Sequence, residues 1–195
     1  MDLLGGAACL DLVNTALEFD EPVERLHTYQ DLLTLVRRLS LLSADTLTAL
    51  ERSAEEDSRQ AERVLLKARQ FRQSMLTIFA ALVEGTLDNV SVSVLKTFNG
   101  FINEALDRQG FLPQANKLVR SQEHPQSELM QAVWVFCLSA YNLLSTQDQS
   151  LIKQCGGCAW FFLDTTKNHR RKWCDMQSCG SNEKARRYYQ RKKQA

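Results

Sequence analysis

Four cysteines near the C-terminus constrain this chain more than any other feature. They fall as Cys155-Gly-Gly-Cys158 and Cys174-Asp-Met-Gln-Ser-Cys179, two close pairs separated by fifteen residues. With such spacing, zinc ribbons and related modules wrap two thiolates from each short loop onto one tetrahedral ion. Gly156 and Gly157 are expected to permit the tight turn of the first loop. Four thiolates leave no coordination position for water, so the expected ion is a structural Zn²⁺ held by Cys155, Cys158, Cys174 and Cys179. Two disulfides are the competing assignment. The N-terminus has no basic segment ahead of its apolar run, so no secretion signal is read. The expected location is therefore the reducing cytoplasm, where such cysteines serve metals more often than disulfides.

Charge says what such a module is for. From Lys153 to Ala195 there are eleven basic residues against Asp164, Asp175 and Glu183, about +8, whereas residues 1–152 hold thirteen basic and twenty acidic residues, about −7. A near-neutral whole thus conceals a basic module, suited to a polyanion, on an acidic carrier. Lys167, Arg170, Arg171 and Lys172 lie between the thiol pairs. Lys184, Arg186, Arg187 and Arg191 follow the last cysteine, in a segment from Glu183 to Lys193 without Pro, Gly or β-branched residues. That segment predicts a helix capped by Ser181 or Asn182, with Lys184, Arg187 and Arg191 on one side. These eight residues are the candidate nucleic-acid contacts; a solvated tail is the plainer alternative. Clustered charge binds phosphate and carries no sequence code.

Trp160, Phe161, Phe162 and Trp173 could stack on bases. Alternation along a strand beside a metal suits a small module core better, and Asp164-Thr165-Thr166 predicts the turn out of that strand.

The remaining chain reads as helical. Glu21-Pro22 predicts a helix start running to about Leu41, and Ser43 or Asp45 caps a second helix to about Glu56. Between Arg59 and Glu84, Val64, Ala68, Phe71, Met75, Ile78 and Leu82 recur in steps of four and three, a long core helix stopped by Gly85. A helix is expected over 89–106 and another from Glu128 to Leu144, capped by Ser127 and apolar around most of its circumference. Residues 110–125 lose the helical period and suggest a short β-hairpin. Cys9 and Cys137 read as core residues. Near the N-terminus Asp11, Asn14 and Thr15 sit in an apolar run. They are expected either to satisfy buried backbone groups or to meet a ligand, the first being the commoner use. No run of apolar residues is long enough to span a membrane.

The expected architecture is thus mainly α: a helical domain over residues 1–150 with a small β-hairpin, then a four-cysteine zinc module over 151–195 ending in a basic helix. Loss of the metal is expected to unfold the segment after Lys153 and to leave the helical domain folded.

The pattern Cys155-x2-Cys158, Phe161-Phe-Leu-Asp164-Thr165, Asn168, Arg170-Arg171, Trp173-Cys174-x-Met176-x2-Cys179-Gly180 and Lys184-Ala-Arg186-Arg187 resembles the CGNR zinc finger of bacterial proteins. In that family an N-terminal ABATE domain, described as a stress-induced transcription regulator, precedes the finger. Leu10-Asp11-Leu-Val-Asn14-Thr15 resembles its opening Leu-Asp-Phe-Val-Asn-Thr signature. The resemblance implies four cysteine ligands and a DNA-binding finger. The motif Cys-Gly-Asn-Arg is here Cys179-Gly180-Ser181-Asn182, so its arginine is absent, with Arg186 and Arg187 close by.

Three functional classes remain. A transcription regulator would bind DNA through the finger, while its helical domain senses a small-molecule effector or forms a homodimer. A zinc-stabilised protein-interaction module would need no DNA. An enzyme is disfavoured: His27, His124 and His169 are scattered, and no phosphate loop, nucleophile elbow or His-x-x-His pair appears.

Overall fold

The structure is a computed structural model that describes residues 2–18, 21–122, 125 and 127–194, giving only the backbone for residues 21, 22, 120, 122, 187, 188, 190, 191, 193 and 194. Its helices are α1 Ala8–Asn14, α2 Tyr29–Arg38, α3 Ala44–Glu56, α4 Ser58–Glu84, α5 Val92–Leu106, α6 Gln131–Thr146 and α7 Ser181–Gln194. Its strands form antiparallel pairs: β1 Leu17–Glu18 with β2 Glu21–Pro22, β3 Gln109–Gln114 with β4 Lys117–Gln122, and β5 Ile152–Gln154 with β6 Phe161–Leu163. The mainly helical class, the hairpin near residue 115 and the cysteine module ending in a helix take the form the sequence implies.

Where helix starts differ from expectation, a local hydrogen bond explains it. Pro22 opens no helix; it lies in β2, and α2 begins at Tyr29. There the Thr28 hydroxyl accepts from the Asp31 amide at 3.2 Å while the Asp31 carboxylate accepts from the Thr28 amide at 2.7 Å, a reciprocal cap that outranks a proline signal. Ser43 caps α3 as expected, and α4 stops at Gly85, whose φ of 71° is the left-handed value glycine adopts without strain. Helix α5 starts at Val92, not Asn89, because residues 87–89 form a 3₁₀ turn and the Ser91 hydroxyl takes the Val94 amide. Ser127 does not cap α6. The Pro125 carbonyl accepts from the Glu128 amide and from the Gln131 side chain, holding 127–130 in a turn before the helix.

The core is organised on α1. Every residue from Cys9 to Asn14 is buried, and the helix packs against α4, α6 and β6. Phe71 stacks on Phe98 and lies tilted against Phe101, joining α4 to α5, while Tyr29 donates to the Leu129 carbonyl at 2.7 Å and ties α2 to the start of α6. Cys9 and Cys137 are fully buried core thiols, as expected. Burial pushes the Cys9 thiol up to about 12, which keeps it protonated and unreactive.

Candidate metal centre

β5 and β6 form a short ladder that delivers the first two cysteines. Cys155 follows Gln154, and its amide donates to the Trp160 carbonyl at 2.8 Å. The chain turns between them, and the Ala159 amide donates to the Cys155 carbonyl at 3.1 Å. The left-handed residue of this turn is Ala159, with φ 62°, and neither Gly156 nor Gly157 has positive φ. The expectation that these glycines supply the turn is therefore corrected. Gly157 gives a ligand room instead: a Cβ there would stand 3.2 Å from the Cys179 Cβ and 3.5 Å from its Sγ. At Gly156 the nearest atom would be 3.9 Å away.

The second pair arrives on a different element. Cys174 ends the loop after β6, and Cys179 lies in a π-helical turn over Met176–Gly180 that runs directly into α7. The cap is Asp175, whose carboxylate accepts from the Ser178 amide at 2.6 Å, rather than Ser181 or Asn182. Both lie within α7, where the Ser181 hydroxyl donates to the Met176 carbonyl. The metal-binding turn and the basic helix are consequently one continuous helical rod.

The four sulfur atoms lie within 4.8 Å of one another. Cys158 Sγ is 3.5 Å from Cys174 Sγ, which is 3.8 Å from Cys179 Sγ. Tetrahedral Zn–S bonds of about 2.3 Å place sulfurs roughly 3.8 Å apart, whereas a disulfide needs about 2.05 Å. The set therefore fits one tetrahedral ion, and all four are free cysteines. Cys155, Cys158 and Cys174 are buried and Cys179 is half-buried, packed with Phe162, Trp160, Trp173 and Leu4. Such a closed, all-sulfur site is consistent with structural zinc.

Around this centre, groups that read from sequence as unrelated converge. Asp164 is fully buried and accepts from Lys153 Nζ at 2.6 Å, the Thr166 hydroxyl at 2.6 Å and the Arg171 amide at 2.9 Å. Burial raises its carboxyl, but these donors outweigh that and hold it well below the usual carboxylate range. Asp164 thereby makes the expected turn and also folds the 164–171 loop back on β5. Arg171 points inward: its guanidinium lies 5.0 Å from the Phe162 ring centre, with Nε donating to the Trp173 carbonyl at 2.8 Å and Nη2 to the Cys174 carbonyl. Arg171 is thus a support of the cysteine loop, unlike the outward cations among which the sequence placed it. Lys167, Arg170, Lys172, Lys184 and Arg186 are exposed, and Arg186 also pairs with Glu183 at 2.8 Å. The side chains of Arg187 and Arg191 lie outside the described residues, although their backbone continues α7. His124 is outside them altogether.

The polar residues of the N-terminal run all have partners. Asp11 accepts from the Gly5 amide at 2.9 Å. Thr15 donates to the Leu12 carbonyl at 2.6 Å and accepts from Arg72, which in turn forks onto Glu24. Asn14 reaches 147 residues along the chain: Nδ2 donates to the Phe161 carbonyl at 2.9 Å and Oδ1 accepts from its amide at 2.8 Å. Leu163 donates to the Gly5 carbonyl at 2.8 Å, and Trp160 Nε1 to the Leu17 carbonyl at 2.8 Å. β6 is therefore bonded to the body along its length. All three of its residues are buried. Phe161 lies against Phe79 in the main core and Phe162 against the cysteines, so these aromatic rings are core on two sides and not base-stacking platforms. The sequence offered one signal for this latch, an asparagine within an apolar run, but nothing in it pointed to Phe161.

Compared with protein-family models, residues 6–147 match the ABATE family, described as "Putative stress-induced transcription regulator", and residues 152–192 match the CGNR zinc finger. No curated protein matches the chain.

Proposed function

The chain belongs to the ABATE family and carries a C-terminal CGNR zinc finger, and from that premise we propose that it is a transcription regulator that binds DNA through the finger. The observation that carries this reading is the placement of exposed cations on a rigid frame. Lys167, Arg170 and Lys172 lie in the loop between the cysteine pairs, and Lys184 and Arg186 on the rod that begins at Cys179. A metal joining loop and rod fixes the two basic groups relative to each other, as successive phosphates of a duplex require. The acidic body disfavours wrapping by DNA elsewhere, so contact is confined to this end.

Anisotropy titrations of a labelled duplex test the reading. Five phosphate contacts give a log–log salt slope of roughly −4 to −5, and Arg170→Ala with Lys172→Ala reduces it by about 2 with zinc content unchanged. A flat salt response, or an unchanged slope in the double variant, overturns it. Binding to an acidic protein without DNA affinity would instead favour an interaction module.

The helical body is the regulatory part in this reading. An open cleft of about 720 Å³ lies between α1, α6 and β6, and its wall includes Leu138, Ser139 and Leu163. Among the described residues none of its lining side chains is ionisable, which suits an uncharged effector, and Leu163 belongs to the strand that carries the metal centre. A thermal-shift screen of uncharged metabolites tests this assignment: hits abolished by Leu138→Trp support the cleft, and hits that persist place the effector elsewhere.

A further inference from the structure

The β3–β4 hairpin stands off the body with apolar side chains on both faces. Leu112 and Val119 are cross-strand partners on one face, and Phe111, Pro113 and Leu118 lie on the other. Phe111 is 67 % exposed, Leu112 58 % and Leu118 72 %. Ala115 and Asn116, with φ of 49° and 60°, make the tight primed turn that twists such hairpins. A two-stranded ribbon with neither face covered is marginal in water, and such apolar exposure marks an interaction surface. A second exposed apolar group lies at the other end of α5. Val83, Leu87, Leu95 and Val92, the last 81 % exposed, occupy the corner where α4 passes through the 3₁₀ turn into α5. This corner is flanked by exposed Glu84 and Asp88, with Lys96 on the α5 side, whereas the hairpin tip carries exposed Lys117.

We infer that the hairpin of one copy docks on the α4–α5 corner of a second copy, forming a two-fold dimer. The occupant is set by charge and by distance. Lysine on the hairpin faces two carboxylates at the corner, and the apolar groups between them are complementary in kind. Within one chain, the hairpin base and the corner are separated by the fifteen residues of α5, about 22 Å, so one copy does not bring its own hairpin base to its own corner. Two α5 helices lying antiparallel across a two-fold axis bring each hairpin base beside the other copy's corner. Both contacts are then made at once, each through the hairpin face that carries Leu112, Lys117 and Val119, and the assembly closes at two copies. This deepens the dimerisation part of the proposed function and does not need DNA.

The test is sedimentation of the zinc-loaded full chain without DNA. Wild type is expected to sediment as a dimer, and Val92→Glu and Leu112→Glu, both at exposed positions, each as a monomer with unchanged helicity and zinc content. A monomeric wild type overturns the inference, and so does a Val92→Glu or Leu112→Glu protein that remains dimeric. DNA affinity, read separately by anisotropy, can fail while this holds, or hold while this fails.

Discussion

The carboxamide of Asn14 pairs with both backbone groups of Phe161, donating to its carbonyl oxygen at 2.9 Å and accepting from its amide at 2.8 Å, with both residues fully buried. A side chain that substitutes for a neighbouring strand in this way makes the last turn of α1 a structural partner of β6. Phe161 and Phe162, adjacent in sequence, then anchor opposite sides of that strand: one in the helical core, one under the cysteines. The metal centre is bonded to the body through the backbone of Phe161 and Leu163 and the indole of Trp160 rather than merely tethered to it.

Replacing Asn14 with Ala leaves two buried backbone groups of Phe161 without partners, a loss of about 2–4 kcal/mol. Denaturant unfolding measures it. The structural role of Asn14 further predicts that zinc transfer to a chelator is faster in the variant. A variant unfolding like wild type would show that the latch contributes nothing.

Metal removal reaches the helical body. The sequence alone suggested that Cys174→Ser would leave this body folded, and the structure adds a cost to it, because Phe161 and Leu163 belong to its core and β6 is bonded to α1 and to Gly5. The expected outcome is a folded helical body whose thermal midpoint falls by several degrees, as a loss of one or two kcal/mol implies for a domain of this size. Circular dichroism melts of wild type and Cys174→Ser decide between an unchanged and a lowered midpoint.

The two glycines of the first cysteine loop differ. Gly157→Ala places a methyl group 3.2 Å from the Cys179 Cβ and pushes that ligand outward, so zinc affinity drops by tenfold or more, while Gly156→Ala meets nothing closer than 3.9 Å and is tolerated. The tenfold figure corresponds to ~1.4 kcal/mol, a modest strain at a metal ligand. Competition against a chromophoric chelator measures both. Equal affinities would contradict the close approach.

Arg171 and Arg170 differ in the same way. Arg171→Ala removes the guanidinium that holds the Trp173 and Cys174 carbonyls and covers Phe162, so zinc release is accelerated, on the order of 10–100-fold for a group that orients metal ligands. Arg170→Ala is expected to leave zinc release unchanged and, on the proposed function, to weaken DNA binding alone.

One pH dependence belongs to the body. Burial raises the Glu24 carboxyl, but its fork with Arg72, the Leu26 amide and nearby Arg69 outweigh this and hold it below the ordinary glutamate range. With the folded value lowered, the pair's contribution is complete above the unfolded value, about 4.3, and is lost as pH falls below it. Arg72 is buried while Glu24 is a third exposed, so Glu24→Gln costs about 1–3 kcal/mol near neutrality. Its melting curve converges with that of wild type in acid. A gap of constant size across this range would exclude the pair as the cause.

Much of this was legible in the chain. Periodic apolar residues gave α4, a serine gave the start of α3, a glycine gave the end of α4, and thiol spacing gave the ligand set. Capping geometry was less legible, because Thr28–Asp31 and Asp175 act through reciprocal or turn-specific hydrogen bonds that a list of favourable residue types does not rank. Long-range partnerships were not legible at all. Asn14 with Phe161, Thr15 with Arg72 and Arg171 with Cys174 depend on which surfaces the fold brings together, and composition carries no trace of that. Arg171 shows the consequence: next to Arg170 in sequence and identical in charge, it faces inward because Phe162 and two loop carbonyls lie within its reach.

Native mass spectrometry of the intact protein, purified without reductant or added metal, tests the central claim most directly. One zinc ion per chain is predicted, lost in Cys174→Ser, with four protons displaced from the thiols in the wild type. A metal-free chain lighter by the four hydrogens of two disulfides would contradict the account.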